Sequence, residues 1–262
     1  MSSFVEDGLD LLKERMDELI VLLGEAEKHD GHQPKLYFSL CRSIQVLAVS
    51  HFEGYLKDLV RNILDDFNNN SEFRNASNDL KFTYCKNFIM PLENGKDNSE
   101  KLKELMNVFG DLNAKFESTP FVKNNKNPKE SIINAIAKSF GEDALFKKLN
   151  NSDTAYVFSN TDNENKLLRD TIQMKLFIAI KGFPYLKDDS IFAIDISNPV
   201  PDKFWEDFIQ NILKERHKIA HGDMHHSSSH RTIYSDILKM EILLYSITYL
   251  LCQRANPITP MI

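Results

Sequence analysis

Apolar residues recur at helical spacing through most of this chain. From about Ser3 to Lys28, Phe4, Leu11, Leu12, Ile20 and Leu23 are separated by Glu, Asp, Lys and Arg in the rhythm of an amphipathic helix. His29 to Pro34 predicts a turn. One long helix is expected from Leu36 to Phe67, with Leu40, Ile44, Leu47, Leu59 and Ile63 on its apolar stripe. His51 falls on that stripe as well.

The pattern loosens from Asn68 to Asn98, which is rich in asparagine and holds a turn at Gly95. Its short apolar patch, Phe82 to Leu92, suits either a strand or a helix. Ser99 to Phe109 reads as helical and Phe116 to Asn127 as a loop. Asn127-Pro128-Lys129-Glu130 then combines an N-cap, a proline at the first helical position and a reciprocal glutamate, predicting a helix through Phe140. Gly141 interrupts before Asp143 to Leu149. Thr161 and Glu164 form a second capping box, opening a helix that runs to Ile180 and ends at Gly182 and Pro184.

Asp189 to Pro201 is a linker whose prolines and small polar residues cannot continue a helix, with a short extended segment at Ser190 to Ile196. Asp202 is the expected cap of the next helix. That helix places Trp205, Ile209, Ile212, Leu213, Ile219 and Ala220 on one apolar stripe, with Arg216 near its centre. A guanidinium cannot neutralise itself, so Arg216 must be paired, interfacial or facing a polar ligand. His217 and His221, four residues apart, share the neighbouring face, and Gly222 suits the helix end. A polar run from Asp223 to His230 follows. Arg231 to Arg254 is a last helix with apolar residues on several faces, as expected at the centre of a bundle. The tail from Pro257 to Ile262 is expected along the surface.

Several amphipathic helices with few strand signals predict a mainly all-α fold, a bundle in which the long, motif and terminal helices pack side by side. At 262 residues, 42% hydrophobic and 27% charged, the chain can bury a sizeable core. The net charge of −6 gives no global attraction to polyanions, so nucleic-acid binding would need a local basic patch. Cys41, Cys85 and Cys252 are scattered and odd in number, which suggests neither a disulfide framework nor a cysteine zinc site and fits a cytoplasmic protein. The apolar run Ile242 to Cys252 is too short and polar for a membrane span.

The segment Arg216-His217-Lys218-Ile219-Ala220-His221-Gly222 resembles the Arg-polar-x-x-x-His motif of the HEPN superfamily. His217 stands where asparagine is frequent. His51-Phe52-Glu53-Gly54-Tyr55 is similar to the RiboL-PSP and MAE-type branches of that superfamily. The resemblance implies one HEPN-like domain with a four-helix core at about 3–67 and 202–254 and additional helices inserted at about 68–198. It also implies a metal-independent endoribonuclease without a cofactor, working as a homodimer whose composite site lies at the interface. A toxin or antiphage-defence role is implied too, with cellular or phage RNA, transfer RNA among the candidates, as substrate and an inhibitor or activator protein as partner.

RNA cleavage by its own 2'-hydroxyl needs a base at that hydroxyl, an acid at the leaving 5'-oxygen and positive charge on the phosphorane. On the resemblance His221 is the general base or acid, Arg216 the phosphate ligand and His217 an orienting or second proton-transfer group. His51 and Glu53 are supporting candidates. On an ideal helix Arg216 and His221 lie about 140° apart, a separation that a two-fold dimer would resolve by lining one cleft with two motifs.

Two alternatives stand beside this reading. Arg216 pairs with a carboxylate such as Glu53 in a catalytically silent module that binds RNA, a nucleotide or a partner protein. Or His217 and His221, with His225, His226 and His230, hold zinc, although no His-Glu-x-x-His pattern or carboxylate set accompanies them and Arg216 would repel the cation.

Overall fold

The computed structural model describes residues 2–89, 99–122, 127–188, 202–222 and 228–258. Its helices are α1 (Phe4–Lys28), α2 (Pro34–Asn70), α3 (Asn78–Lys86), α4 (Ser99–Asp111), α5 (Glu130–Ser139), α6 (Leu145–Asn150), α7 (Asp162–Ile180), α8 (Phe204–Ala220) and α9 (His230–Ala255). Short 3-10 turns at Phe73–Asn75 and Asp153–Phe158 complete the secondary structure, and no strand occurs among the described residues. The fold is all-α, as the periodicity predicts.

The boundaries follow local chemistry. Ser3 caps α1 by accepting from the Glu6 N–H at 3.0 Å, and Thr161 and Glu164 form the expected reciprocal capping box on α7. Pro34 opens α2, where its missing N–H costs nothing. The patch beginning at Phe82 is helical as far as Lys86, while Met90 to Leu92 lie outside the described residues. The linker from Asp189 to Pro201, with its expected extended segment, also lies outside them.

Two expected caps are not used. Lys203, not Asp202, precedes α8, and no side chain caps that end. Likewise α5 begins at Glu130 after an uncapped Lys129, so Asn127 and Pro128 stand outside the helix. The Asn127 amide is engaged in a tertiary contact instead.

The core lies where α1 and α2 pack along each other and α9 packs across both. From Ile237 to Cys252 α9 is buried on nearly every face except at Lys239, as a central helix should be. α7, inside the stretch expected as an insertion, runs along α9, and α8 packs on α2. Buried polar groups tie these helices together. Asp66 of α2 accepts from the first amides of α1, Phe4 at 2.9 Å and Val5 at 3.2 Å, and from the Tyr185 hydroxyl at 2.8 Å. Arg169 of α7 donates to Glu241 of α9 at 2.9 Å, and the Tyr245 hydroxyl donates to the other oxygen of Glu241 at 3.2 Å. The tail touches the body where the Ile258 N–H donates to the Asn75 carbonyl at 2.9 Å.

Candidate functional site

α8 is anchored by its first half. Trp205, Phe208, Ile209 and Ile212 are buried, and Trp205 packs edge-on to Phe158 at 5.0 Å between ring centroids. Beyond Ile212 the helix leaves the core. Leu213, Arg216 and Ile219 are half-buried, while Ala220, His217 and His221 are exposed. The apolar stripe read from the sequence is therefore fully buried only as far as Ile212, with Leu213 packed at the edge of the core. At its end the His221 N–H donates to the His217 carbonyl at 3.0 Å, and Gly222 takes φ +87°, a conformation costly for a residue with a Cβ.

The structure brings the two imidazoles together. The rings of His217 and His221 lie 4.1 Å apart at 60°, both open to solvent. Half-buried Arg216 precedes them in the same helix end. Its Nη1 makes one long hydrogen bond, 3.5 Å, to the Asn127 side-chain oxygen. Its Nε is buried without a partner, and among the described residues no carboxylate forms an ion pair with it. A guanidinium presents five donors in a fixed plane, so most of this one's capacity is free for an incoming oxyanion.

The supporting candidates lie elsewhere. Glu53 pairs with Lys57 one turn along α2 at 2.7 Å, not with Arg216. His51 is half-buried, and its proton affinity is lowered by burial first and then by the charge of Arg15, against the opposing pull of Glu18. Both of those groups are on α1, so His51 faces α1. His230 is held at the start of α9, its Nδ1 3.2 Å from the Tyr37 hydroxyl, while His225 and His226 lie outside the described residues. Among the described residues no three His, Cys, Asp or Glu side chains are gathered as a metal would need.

Asn127 is the residue that sequence reasoning missed, since it was assigned to a helix cap. It sits in the wall of an open cleft of about 900 Å3 between the start of α5 and the outer face of α8. Lys129, Lys203, Lys214 and His217 line this cleft, beside Glu130, Glu206 and Asp207. The local basic groups that the net charge demanded are thus present next to the motif, interleaved with acids. No sequence signal joins Asn127 to Arg216, 89 positions away.

The all-α fold agrees with the comparison against known families. The RiboL-PSP-HEPN family model matches residues 10–253, so the match includes both segments that carry the resemblance. HEPN domains are often ribonucleases, and they often bind RNA and dimerise. No curated protein and no solved structure matches the chain. Among the described residues no helix is long and apolar enough to cross a membrane. With all but the ends of its sequence matched, this helical chain belongs to the RiboL-PSP-HEPN family.

Proposed function

We infer that the chain is a metal-independent endoribonuclease that works as a homodimer, with Arg216, His217 and His221 from two copies lining one site. The observation that carries this reading is an unpaired, partly buried guanidinium beside two exposed imidazoles in ring contact. In the reaction an RNA 2'-hydroxyl attacks the adjacent phosphorus and the 5'-oxygen leaves. His221 takes the hydroxyl proton or supplies the proton that the leaving oxygen needs, and His217 orients it or serves as the second transfer group. Arg216 donates to the phosphorane oxygens as their charge grows. The dimer answers the angular separation of Arg216 and His221 on one helix, and the half-buried Leu213 and Ile219 are the apolar part of its interface. The cleft leading to His217, with its three lysines, is the path for the RNA backbone. A toxin or defence role extends the same reading to the cell.

The acids interleaved in that cleft favour a second reading, a HEPN module that binds RNA or a partner protein without cutting. One experiment separates the two. Purified protein and its His221→Ala variant are incubated with total and transfer RNA in excess EDTA, and product ends are mapped. Cleavage by wild type, leaving 2',3'-cyclic phosphate and 5'-hydroxyl ends, with a loss of about 10²-fold or more in the variant, is expected. RNA binding without cleavage by either protein selects the second reading.

A further inference from the structure

Next to the cleft, with Asp207 and Asn211 of α8 shared between the two, lies a half-open pocket of about 350 Å3 between α2, α8 and α9. Its size lies within the range of small-molecule sites. Its apolar walls include Phe204, Phe208, Ile212 and Met240. Into this lining come Gln45 of α2, Asp207 and Glu215 of α8, and Asp236 and Lys239 of α9.

Two of these polar groups, Gln45 and Asp236, set the chemistry of a guest. Gln45 is 92% buried, as its 8% exposure implies, and donates through Nε2 to the Ser228 hydroxyl at 2.9 Å. Its carbonyl oxygen is buried with no hydrogen-bond partner among the described residues. An orphaned acceptor at that depth calls for an N–H or O–H donor. Lys239 is turned to the Ser235 hydroxyl at 3.0 Å, and Glu215 is paired with Lys218 at 3.1 Å. Asp236 remains as a half-buried carboxylate within the field of Lys239 but in no ion pair among the described residues.

We propose that this cavity binds a small organic cation with an apolar body, a protonated aryl-alkyl amine or an amidine, whose N–H donors are shared between Gln45 and Asp236. The phenylalanine faces of the wall receive its apolar body and favour its charge. An anion would meet Asp207, Glu215 and Asp236 against the single cation Lys239. A bare metal ion would leave the apolar wall unused. Burial pushes the Asp236 carboxyl up to about 6, with Lys239 pulling it down and Glu215 and Asp162 pushing it further up. From α2 the facing group is the neutral Gln45. Asp236 is therefore mostly ionised at pH 7.5, and protonation below pH 6 removes the charge that holds the guest. None of this depends on the ribonuclease reading.

The test is calorimetric titration of the full chain with phenethylamine and benzamidine at pH 7.5, with 2-phenylethanol as the uncharged control. Saturable binding of an amine or amidine is expected, at least tenfold tighter than the alcohol and at least tenfold weakened by Asp236→Asn and by Gln45→Leu. Affinity should fall as pH is lowered from 7.5 to 5. Trp205, the chain's single tryptophan, packs on Phe158 of the cavity wall, so its emission gives a second readout. Repeating the titration on His221→Ala protein keeps the result independent of any nuclease activity. Circular dichroism checks that both variants fold, and Asp236→Asn decides alone if Gln45→Leu does not. No saturable binding by either cation, equal affinity for the alcohol, or undiminished binding by folded Asp236→Asn overturns the proposal.

Discussion

Arg169 on α7 and Arg216 on α8 are both carried into partly buried positions by amphipathic helices, yet among the described residues only the first meets carboxylates. Arg169 bonds Glu241 at 2.9 Å and Asp170 at 2.7 Å, and Tyr245 completes the buried network. Arg216 has one long contact to a neutral amide and a buried Nε with none. A guanidinium loses hydration in both places, but only the α7 site returns the loss within the chain. The difference separates a charge satisfied within the fold from the one that the proposed reading assigns to a ligand. It also places the second where the bundle ends, beside two exposed histidines.

Removing the paired arginine should have the larger consequence for folding. Arg169→Ala leaves Glu241, which burial already pushes toward protonation, without the cation that opposes that push. A loss of about 3–5 kcal/mol at pH 7.5 is expected from such a broken buried pair. Denaturant unfolding would measure it. The loss should shrink as pH falls and Glu241 takes up a proton. Arg169→Met combined with Glu241→Leu should recover most of it, because the pair is then replaced rather than broken. An Arg169→Ala protein as stable as wild type would remove the contrast between the two arginines.

The other half of the comparison predicts the reverse pattern. Arg216→Ala should change stability by no more than about 1 kcal/mol, since little is satisfied there to lose. RNA cleavage should fall by about 10²–10³-fold, as when a preorganised donor to a developing oxyanion is deleted. Light scattering must accompany the assay, because the substitution lies on the face assigned to the dimer. A variant that stays dimeric and cuts at the normal rate would take Arg216 out of the site.

How much of this was legible beforehand depends on how local the signal was. Ser3, the Thr161–Glu164 box and Gly222 act on backbone groups within a few residues, so the ends they set could be read directly. The motif was readable for the same reason, being confined to the last turns of one helix. Asn127 carried an equally good local cap signal, but its amide reaches Arg216 and α5 starts three positions later. Periodicity could place Ile219 and Ala220 on the apolar side of α8. It could not show that full burial of the helix ends at Ile212. The Arg169–Glu241 pair spans 72 positions, and the position of α7 against α9 was equally hidden.

Asp236 supplies an intermediate case, a half-buried carboxylate with a cation nearby but no ion pair among the described residues. Its folded value of about 6 lies above the ordinary 3.8, so between those values the folded state holds more protons than the unfolded one. The sign follows from this. Stability associated with protonated Asp236 is fully present below about pH 4 and is lost as pH rises through 6. Asp236→Asn removes the dependence, so the variant should match wild type near pH 4 and exceed it by about 1–3 kcal/mol at pH 7.5. Thermal melts across that range would show the two curves separating between pH 4 and 6. Parallel curves would mean that the fold fully compensates the Asp236 carboxylate for its burial. The unpaired charge at the end of α8 would then be the exception along this helix, and the cavity beside it would have no carboxylate to offer a guest.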